Sequence, residues 1–405
     1  LAHFEKSLAN RANDEVSDLT DTRPETIPAQ EFLWSKNQIE METSTMNSHR
    51  RIAGAVVLCT SLAGVGTAAH AQGSVTLYGI VDSGILYTSK TLNPATGQNA
   101  GHQLSVITGG LSPSVFGLKG TEDLGGGFHA IFNLESGINL ANGGVADSNG
   151  NFFGRQAWVG LTSDMGTVKA GLQYSPFALS LIASDPRNVS FFGSGVPIYI
   201  GGVFVTGIFN SNAISYSSPT IAGLQGSAML ALGGTAGDFQ AGRQYSARLS
   251  YKLGQLVIDA AMYSGNPGGT AASTPTPSTV AFSGRTIGAS YRFDSLTVRL
   301  LFVNYKIAGS FDNRVYGGGF SYEVTPTVNV DAGVWATSDG NDTSNHSIMA
   351  ATGLTYSLSK STACYGQFGF VNNHGAMNTG LSTNGALMGV RGSTLGADVG
   401  IRHLF

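Results

Sequence analysis

Beyond residue 72 the histidines are His102, His129, His346, His374 and His403, scattered with no partner at the spacing that acid–base, nucleophilic or metal chemistry needs. The glycine runs Gly125-Gly126-Gly127 and Gly317-Gly318-Gly319 fall at a turn and within a strand, not ahead of a helix where they could cradle a phosphate. These residues predict no enzyme, no cofactor and no metal site. The charged residues are more orderly. Lys119, Arg248, Lys252, Arg292, Arg299 and Arg402 fall on the polar side of segments with a two-residue period, and Asp82, Glu135, Asp259, Asp331 and Asp398 oppose them. Fixed charges of both signs along a wet wall act on passing ions through their field; they make and break no bonds.

The elements that carry these charges must be strands, because only a strand sends successive side chains to opposite faces. Val75, Leu77, Gly79, Val81, Ser83, Ile85 and Tyr87 alternate with Thr76, Tyr78, Ile80, Asp82, Gly84 and Leu86. The alternation returns in Phe128, Ala130, Phe132, Leu134; in Tyr245, Ala247, Leu249, Tyr251; in Leu256, Ile258, Ala260, Met262; and in Leu296, Val298, Leu300, Phe302. Ser246, Arg248, Ser250 and Lys252 interleave the second of these sets as an aqueous face. Short turns at 123–126, 163–166, 219–223, 253–255, 293–295, 325–327 and 358–361 alternate with long polar loops near 88–113, 138–151, 176–211, 233–243, 264–284, 307–313, 338–345 and 371–393. Seven turns and eight loops join sixteen strands, from near Val75 to Phe405. The fold expected is all-β, a 16-stranded antiparallel transmembrane β-barrel with turns on one rim and loops on the other. Aromatic residues near strand ends, Tyr87, Tyr174, Tyr216, Tyr251, Tyr263, Tyr291, Phe293 and Tyr356, fit the two membrane interfaces.

Composition agrees. Charged residues make up only 12% and hydrophobic ones an ordinary 42%, with 56 glycines, which suits a wall with lipid on one side and water on the other. No apolar run beyond residue 72 is long enough for a transmembrane helix. Basic and acidic residues balance from Gln72 onward, at 16 each, and no basic cluster predicts a nucleic-acid partner. Cys59 and Cys364 cannot make a disulfide framework.

Met46-Asn47-Ser48-His49-Arg50-Arg51 opens a basic region, an apolar run follows from Ile52, and Ala69-His70-Ala71 ends it in small residues. That pattern predicts a cleaved signal peptide over 46–71 and a mature barrel over 72–405. Residues 1–45 are acidic, with 4 basic against 9 acidic side chains, and show no sustained period. Translation is expected to begin at Met46, leaving 1–45 upstream of the true start.

Several stretches resemble the trimeric general porins of Gram-negative bacteria, in the neisserial and β-proteobacterial branch. Ser74-Val75-Thr76-Leu77-Tyr78-Gly79 resembles that family's first strand, and Arg155-Gln156-Ala157-Trp158-Val159-Gly160-Leu161 its fourth. The most specific match is Phe116-Gly117-Leu118-Lys119-Gly120-Thr121-Glu122-Asp123-Leu124-Gly125-Gly126-Gly127, similar to the strand–turn–strand signature. Val399-Gly400-Ile401-Arg402-His403-Leu404-Phe405 resembles the assembly signal, with Val399, Ile401 and Phe405 on one face for the barrel-assembly machinery to pair with.

The resemblance implies short periplasmic turns, long extracellular loops and an inward-folded constriction loop over about 176–212, holding Asp185-Pro186-Arg187. It implies a homotrimer in the cell outer membrane, in contact with outer-membrane lipid, whose water-filled channel passes ions and small hydrophilic solutes by diffusion. A substrate-specific channel or a loop-based adhesin on the same barrel is the alternative. Arg155 joins the charges of the constriction by resemblance only, since Ala157, Val159 and Leu161 share its parity. The family's basic ladder is depleted: Val115, Leu172 and Ser215 stand where basic residues are common, and Ile80 also faces inward. Weak ion selectivity is the expectation.

Overall fold

The computed structural model describes residues 73–203, 208–269 and 281–405. The expected upstream segment, 1–45, and signal peptide, 46–71, lie outside them. The strands are β1 (Ser74–Thr88), β2 (Gln103–Thr108 and Val115–Gly125), β3 (Phe128–Gly137), β4 (Gln156–Ser163), β5 (Gly166–Tyr174), β6 (Phe209–Ser217), β7 (Leu224–Ala231) and β8 (Gln244–Leu253). They continue as β9 (Leu256–Gly265), β10 (Phe282–Phe293), β11 (Leu296–Ile307), β12 (Asp312–Thr325), β13 (Val328–Asp339), β14 (His346–Ser357), β15 (Thr362–His374) and β16 (Gly392–Leu404). Each pairs antiparallel with its neighbours in sequence, and β16 returns to β1 in a register running from Ile80 opposite Leu404 to Thr88 opposite Gly396. The sheet is a closed 16-stranded barrel without an edge, so the backbone groups of every wall strand find partners within the sheet.

β2 is one wall strand in two pieces, both paired with β1: Gln103–Thr108 with its upper part and Val115–Thr121 with its lower part. The long loop expected over 88–113 is therefore shorter than the spacing suggested. Pro113 cannot donate to a ladder, and with Gly109 at φ 72° it gives the chain a local reason to leave the sheet there.

The outer surface is apolar where the alternation placed it: Val75, Leu77, Val159, Leu161, Leu249, Ile287, Leu300 and Phe368 are all exposed. The interior is filled on one side by the segment after β5, which turns in rather than out. It carries α1 (Pro176–Ser184) and α2 (Gly195–Val203). Ser175 caps α1 by accepting from the Ala178 N–H at 3.0 Å, and Pro176 opens the helix where its missing N–H costs nothing. A helix reading Pro-Phe-Ala-Leu-Ser-Leu-Ile-Ala-Ser is apolar nearly all round, so it belongs inside. It packs on the inner faces of β8, β9 and β10. A short hairpin of Thr379–Ser382 and Ala386–Met388, in the loop before β16, closes over the far end of the segment.

Candidate functional site

The inward segment lies on a bed of glycines. A Cβ at Gly284 would stand 2.5 Å from the Phe177 ring, and one at Gly288 would stand 2.1 Å from Ser184 Oγ. Only a wall without side chains lets α1 approach this closely. The Phe177 N–H donates to Ser246 Oγ of β8 at 3.0 Å, fixing the start of the helix. Phe177, Phe191, Phe192, Val196 and Tyr199 are fully buried, so this segment forms the apolar core of a molecule whose other apolar side faces outward.

After α1 the chain makes a strained turn, with Asn188 at φ 52° and the β-branched Val189 at φ 54°. Asp185 compensates. Its carboxylate accepts the N–H groups of Arg187, Val189 and Gly195, each at 2.9 Å, and burial holds its carboxyl above the ordinary range despite those donors and the nearby Arg187. Arg187 then staples the turn to the wall. Its guanidinium pairs with Asp331 on β13 and donates to Gln367 on β15 at 2.8 Å. It also donates to the Phe192 and Gly193 carbonyls at 2.7 and 2.9 Å. Gln367 in turn accepts from Ser190 Oγ at 2.7 Å and donates to the Gly110 carbonyl at 3.0 Å, tying the turn to the break in β2.

Asp82 faces inward, as parity required, but presents no charge to open water. The N–H groups of Gly110, Leu111 and Ser112 reach it at 3.1, 3.2 and 2.7 Å, and the Tyr365 hydroxyl donates at 2.7 Å. It is the acceptor that makes the break in β2 affordable. Arg402 reinforces the same break by donating to Ser112 Oγ at 3.0 Å.

Arg155 stands just ahead of β4, where strand parity does not yet apply, and turns inward. It meets Glu135 at 2.7 Å, the Tyr174 hydroxyl at 2.8 Å and the Asp147 carbonyl at 3.3 Å, all buried. The Tyr78 hydroxyl lies 2.8 Å from the other oxygen of Glu135 and 2.8 Å from Asn133 Oδ1. Asp147, in the loop between β3 and β4, has its carboxyl pushed up to about 7 by burial, with Arg155 pulling the other way.

Arg248 on β8 meets Asp259 on β9 at 2.6 Å. Arg299 on β11 lies in the fields of Asp185 and Asp331, and its Nη1 is buried without a hydrogen-bond partner among the described residues. Arg292 sits at the short-turn rim, exposed, 3.7 Å from Glu323, and takes no part in the inward cluster. Lys119 on β2 is half-buried over the Tyr78 ring, 5.2 Å from its centroid, with no ion pair among the described residues. Lys169 on β5 lies 4.5 Å from the centroid of Trp158. Val115 and Ile80 are buried, and the Ser215 hydroxyl donates to Gln173. None of these three supplies a charge.

The structure therefore gathers Asp185, Arg187 and Arg299 at the inward turn, and Arg155 with Glu135 beside Tyr174 where the loop begins, while Arg248 and Arg292 stand apart. Reasoning from sequence placed Tyr174 and Tyr263 at the membrane interfaces, whereas both are buried on the inner side, where the Tyr174 hydroxyl accepts from Arg155 and the Tyr263 hydroxyl donates to Asn210 Oδ1. It did not single out Gln367, Tyr78, Asp147 or the glycine bed. The run Gly317-Gly318-Gly319 was the available signal, since a Cβ at Gly319 would lie 2.9 Å from Pro186 of the turn. At the C-terminus, Val399 and Ile401 lie exposed on the outer face, and Phe405 exchanges backbone hydrogen bonds with Gly79 at 3.0 and 3.1 Å. A Cβ at Gly79 would stand 2.3 Å from the Phe405 ring, so the last residue helps seal the β1–β16 seam.

The arrangement is a lipid-facing barrel with a loop fixed across part of its bore and charged groups along the rest. The chain matches the family model of the Gram-negative porin over residues 55–376. It is 31% identical to outer membrane porin protein 32 of Delftia acidovorans over 360 residues, covering 84% of this chain and 96% of that protein. Among solved structures it resembles the anion-selective porin from Comamonas acidovorans, at 28% identity and a TM-score of 0.70, covering 82% of this chain and all of that one. OmpT of Vibrio cholerae in its trimer form, at 13% identity and a TM-score of 0.61 over 82% of this chain and 99% of its own, shares the fold. The chain belongs to the Gram-negative porin family, and it is an outer-membrane channel protein rather than an enzyme.

Proposed function

We propose that the channel passes ions and small hydrophilic solutes by passive diffusion with weak ion selectivity, and that it works as a homotrimer. The observation that carries the weak selectivity is the pairing of its arginines. Arg155, Arg187 and Arg248 each meet a carboxylate, at Glu135, Asp331 and Asp259, so their fields largely cancel a few ångströms away. Asp185 and Arg187 act as anchors of the constriction loop, and Asp82 as the anchor of the break in β2. Lys119 on the wall of β2 carries what ion preference remains, a mild one for anions.

The apolar outer face of β1–β5, with Val75, Leu77, Ile85, Val159, Leu161 and Val168 exposed, suits contact with a second copy as well as lipid. The mature chain begins at Gln72 after removal of 46–71, and Val399, Ile401 and Phe405 are the surface that the assembly machinery pairs with. Purified protein in a planar bilayer under a KCl gradient tests the reading. Openings in steps of three with a reversal potential displaced only slightly toward chloride are expected. Strong selectivity of either sign would mean that the paired arginines do not cancel.

A further inference from the structure

One patch of the inner wall is apolar where the lumen is wet. Thr76 on β1 pairs across the ladder with Lys119 on β2, Lys119 with Asn133 on β3, and Asn133 with Trp158 on β4. One step nearer the short-turn rim, Ile131 pairs with Gly160, and Gly160 with Lys169 on β5. Cross-strand partners share a face of the sheet, so the two rows form one surface. It is the inner one, because Val75, Leu77, Val159, Leu161 and Val168 have the opposite parity and are exposed on the outside. The surface lies between Glu135 with Arg155 on one side and the turns at 123–126 and 163–166 on the other. Tyr78, Lys119, Ile131 and Trp158 are half-buried there, so each shows part of its side chain to the channel. Neither the isoleucine nor the indole belongs to the apolar core around the inward loop, and on this face neither meets lipid.

The patch is held in place from within the wall. The Trp158 indole N–H donates to Gln156 Oε1 at 2.9 Å, which fixes the ring. A Cβ at Gly160 would stand 3.2 Å from Lys169 Cγ, so the bare glycine lets the lysine stem cross and set its Nζ 4.5 Å from the indole centroid. Lys169 comes from β5, which leaves the side of the indole toward β3 and Ile131 for a ligand. The Tyr78 hydroxyl is committed to Asn133 and Glu135, and its ring lies over Gly117, where a Cβ would stand 2.5 Å from it. Lys119 rests on that ring and makes no ion pair among the described residues. It stands two strands from Trp158, roughly 10 Å along the row at the usual strand spacing, with only the short Asn133 between them. An apolar, aromatic shelf with one cation at its edge matches a flat apolar body carrying one negative charge. The inner residues of β8, by contrast, are Ser246, Arg248, Ser250 and Lys252, with no aromatic among them.

We propose that this patch is a subsite for small aromatic carboxylates of the benzoate type, on the short-turn side of the constriction. The ring of the solute lies against Trp158 and Ile131, and its carboxylate meets Lys119. The inference rests on the reading of the channel as a diffusion pore whose mild anion preference comes from Lys119, and it adds a class of solute that binds on its way through. A weak site of this kind raises the local concentration of its solute without trapping it.

Single-channel conductance in KCl, titrated with benzoate, acetate or benzamide in both chambers, tests this. Benzoate is expected to lower the current at a concentration roughly fivefold below that of acetate, the weight of one ring contact. Benzamide, which has the ring without the charge, should leave the current unchanged. Trp158→Leu should bring the benzoate midpoint up to that of acetate, and Trp158→Phe, which keeps a ring, should restore most of the difference. Ile131→Thr should weaken benzoate in the same direction, and it carries the test if Trp158→Leu does not fold, which heat-modifiable migration reports. All three variants keep Lys119, so their reversal potential under a KCl gradient should match wild type. A wild-type reversal potential displaced toward potassium would sink the reading of the channel itself, whereas equal midpoints for benzoate and acetate overturn the subsite alone. Block by benzamide overturns it too, as does benzoate block that persists unchanged in folded Trp158→Leu or Ile131→Thr.

Discussion

The two halves of the inner wall treat charge in opposite ways. Over β8–β15 most of the charges named above are consumed within the protein, Arg187 with Asp331, Arg248 with Asp259, and Asp185 with three backbone N–H groups, while Arg299 keeps one guanidinium nitrogen without a hydrogen-bond partner among the described residues. Here a charge behaves as a fastener, because a buried ion is tolerated only when a counter-charge or several donors replace its water. Over β1–β5 the pattern splits. Arg155 and Glu135 are locked together, but Lys119 rests on the face of Tyr78, where an aromatic ring steadies a cation without cancelling it. The comparison teaches that counting lumen charges does not predict ion preference. What matters is whether each charge has already spent its field on a neighbour.

The largest effect that breaks this division is at Arg187. Arg187→Met leaves Asp331 buried without its cation and frees the strained turn, at a cost of about 3–5 kcal/mol. The temperature at which the folded band converts on a gel should fall well below wild type, and single-channel currents should become noisy or larger. An unchanged transition would mean that the staple is not holding the loop. A somewhat smaller loss is expected when the glycine bed is filled. Gly288→Val places two methyl groups where Ser184 lies, and overpacking of about 1–3 kcal/mol should displace α1 and alter conductance without removing any charge. If conductance holds, the bed is not what positions the loop.

Asp147 gives a pH dependence whose sign follows from burial. With its carboxyl raised to about 7 in the folded loop, the protonated form is favoured there more than in the unfolded chain. The resulting stability is present at low pH and is lost as pH rises from the ordinary carboxylate range through about 7. The unfolding midpoint at pH 5 should exceed that at pH 8, and Asp147→Asn should shrink the difference. A difference untouched by the substitution assigns it to other groups. At the small end, Arg292→Ala at the periplasmic rim removes a 3.7 Å exposed pair and should change stability by less than about 0.5 kcal/mol, with conductance unaltered.

Much of this was legible before any coordinates. The two-residue period separated the lipid side from the lumen side in β1, β3, β8 and β9, because a barrel that is wet inside and oily outside imprints itself on every strand, but aromatic type misled where Tyr174 and Tyr263 turn inward. The short turns were equally clear, since glycine, proline and aspartate punctuate them. The inner architecture was harder to read. Arg155 has the parity of an outward residue, and its inward turn depends on its place just before β4 rather than within it. Asp82 was correctly placed on the inner face, yet nothing linear foretold that the break at 109–114 would wrap three N–H groups around it. The loop's seat is written in glycines on other strands, at Gly284, Gly288 and Gly319, and a residue that matters by lacking a side chain carries no periodic signal.

The most direct test of the division between fastening and steering charges is the reversal potential of Lys119→Glu under a KCl gradient, read beside the double variant Arg248→Gln, Asp259→Asn. The account predicts that Lys119→Glu moves the reversal potential toward potassium while the double variant, which removes a pair that already cancels, leaves it where wild type stands. A double variant that shifts the potential as far as Lys119→Glu does, or a Lys119→Glu channel indistinguishable from wild type, would contradict it.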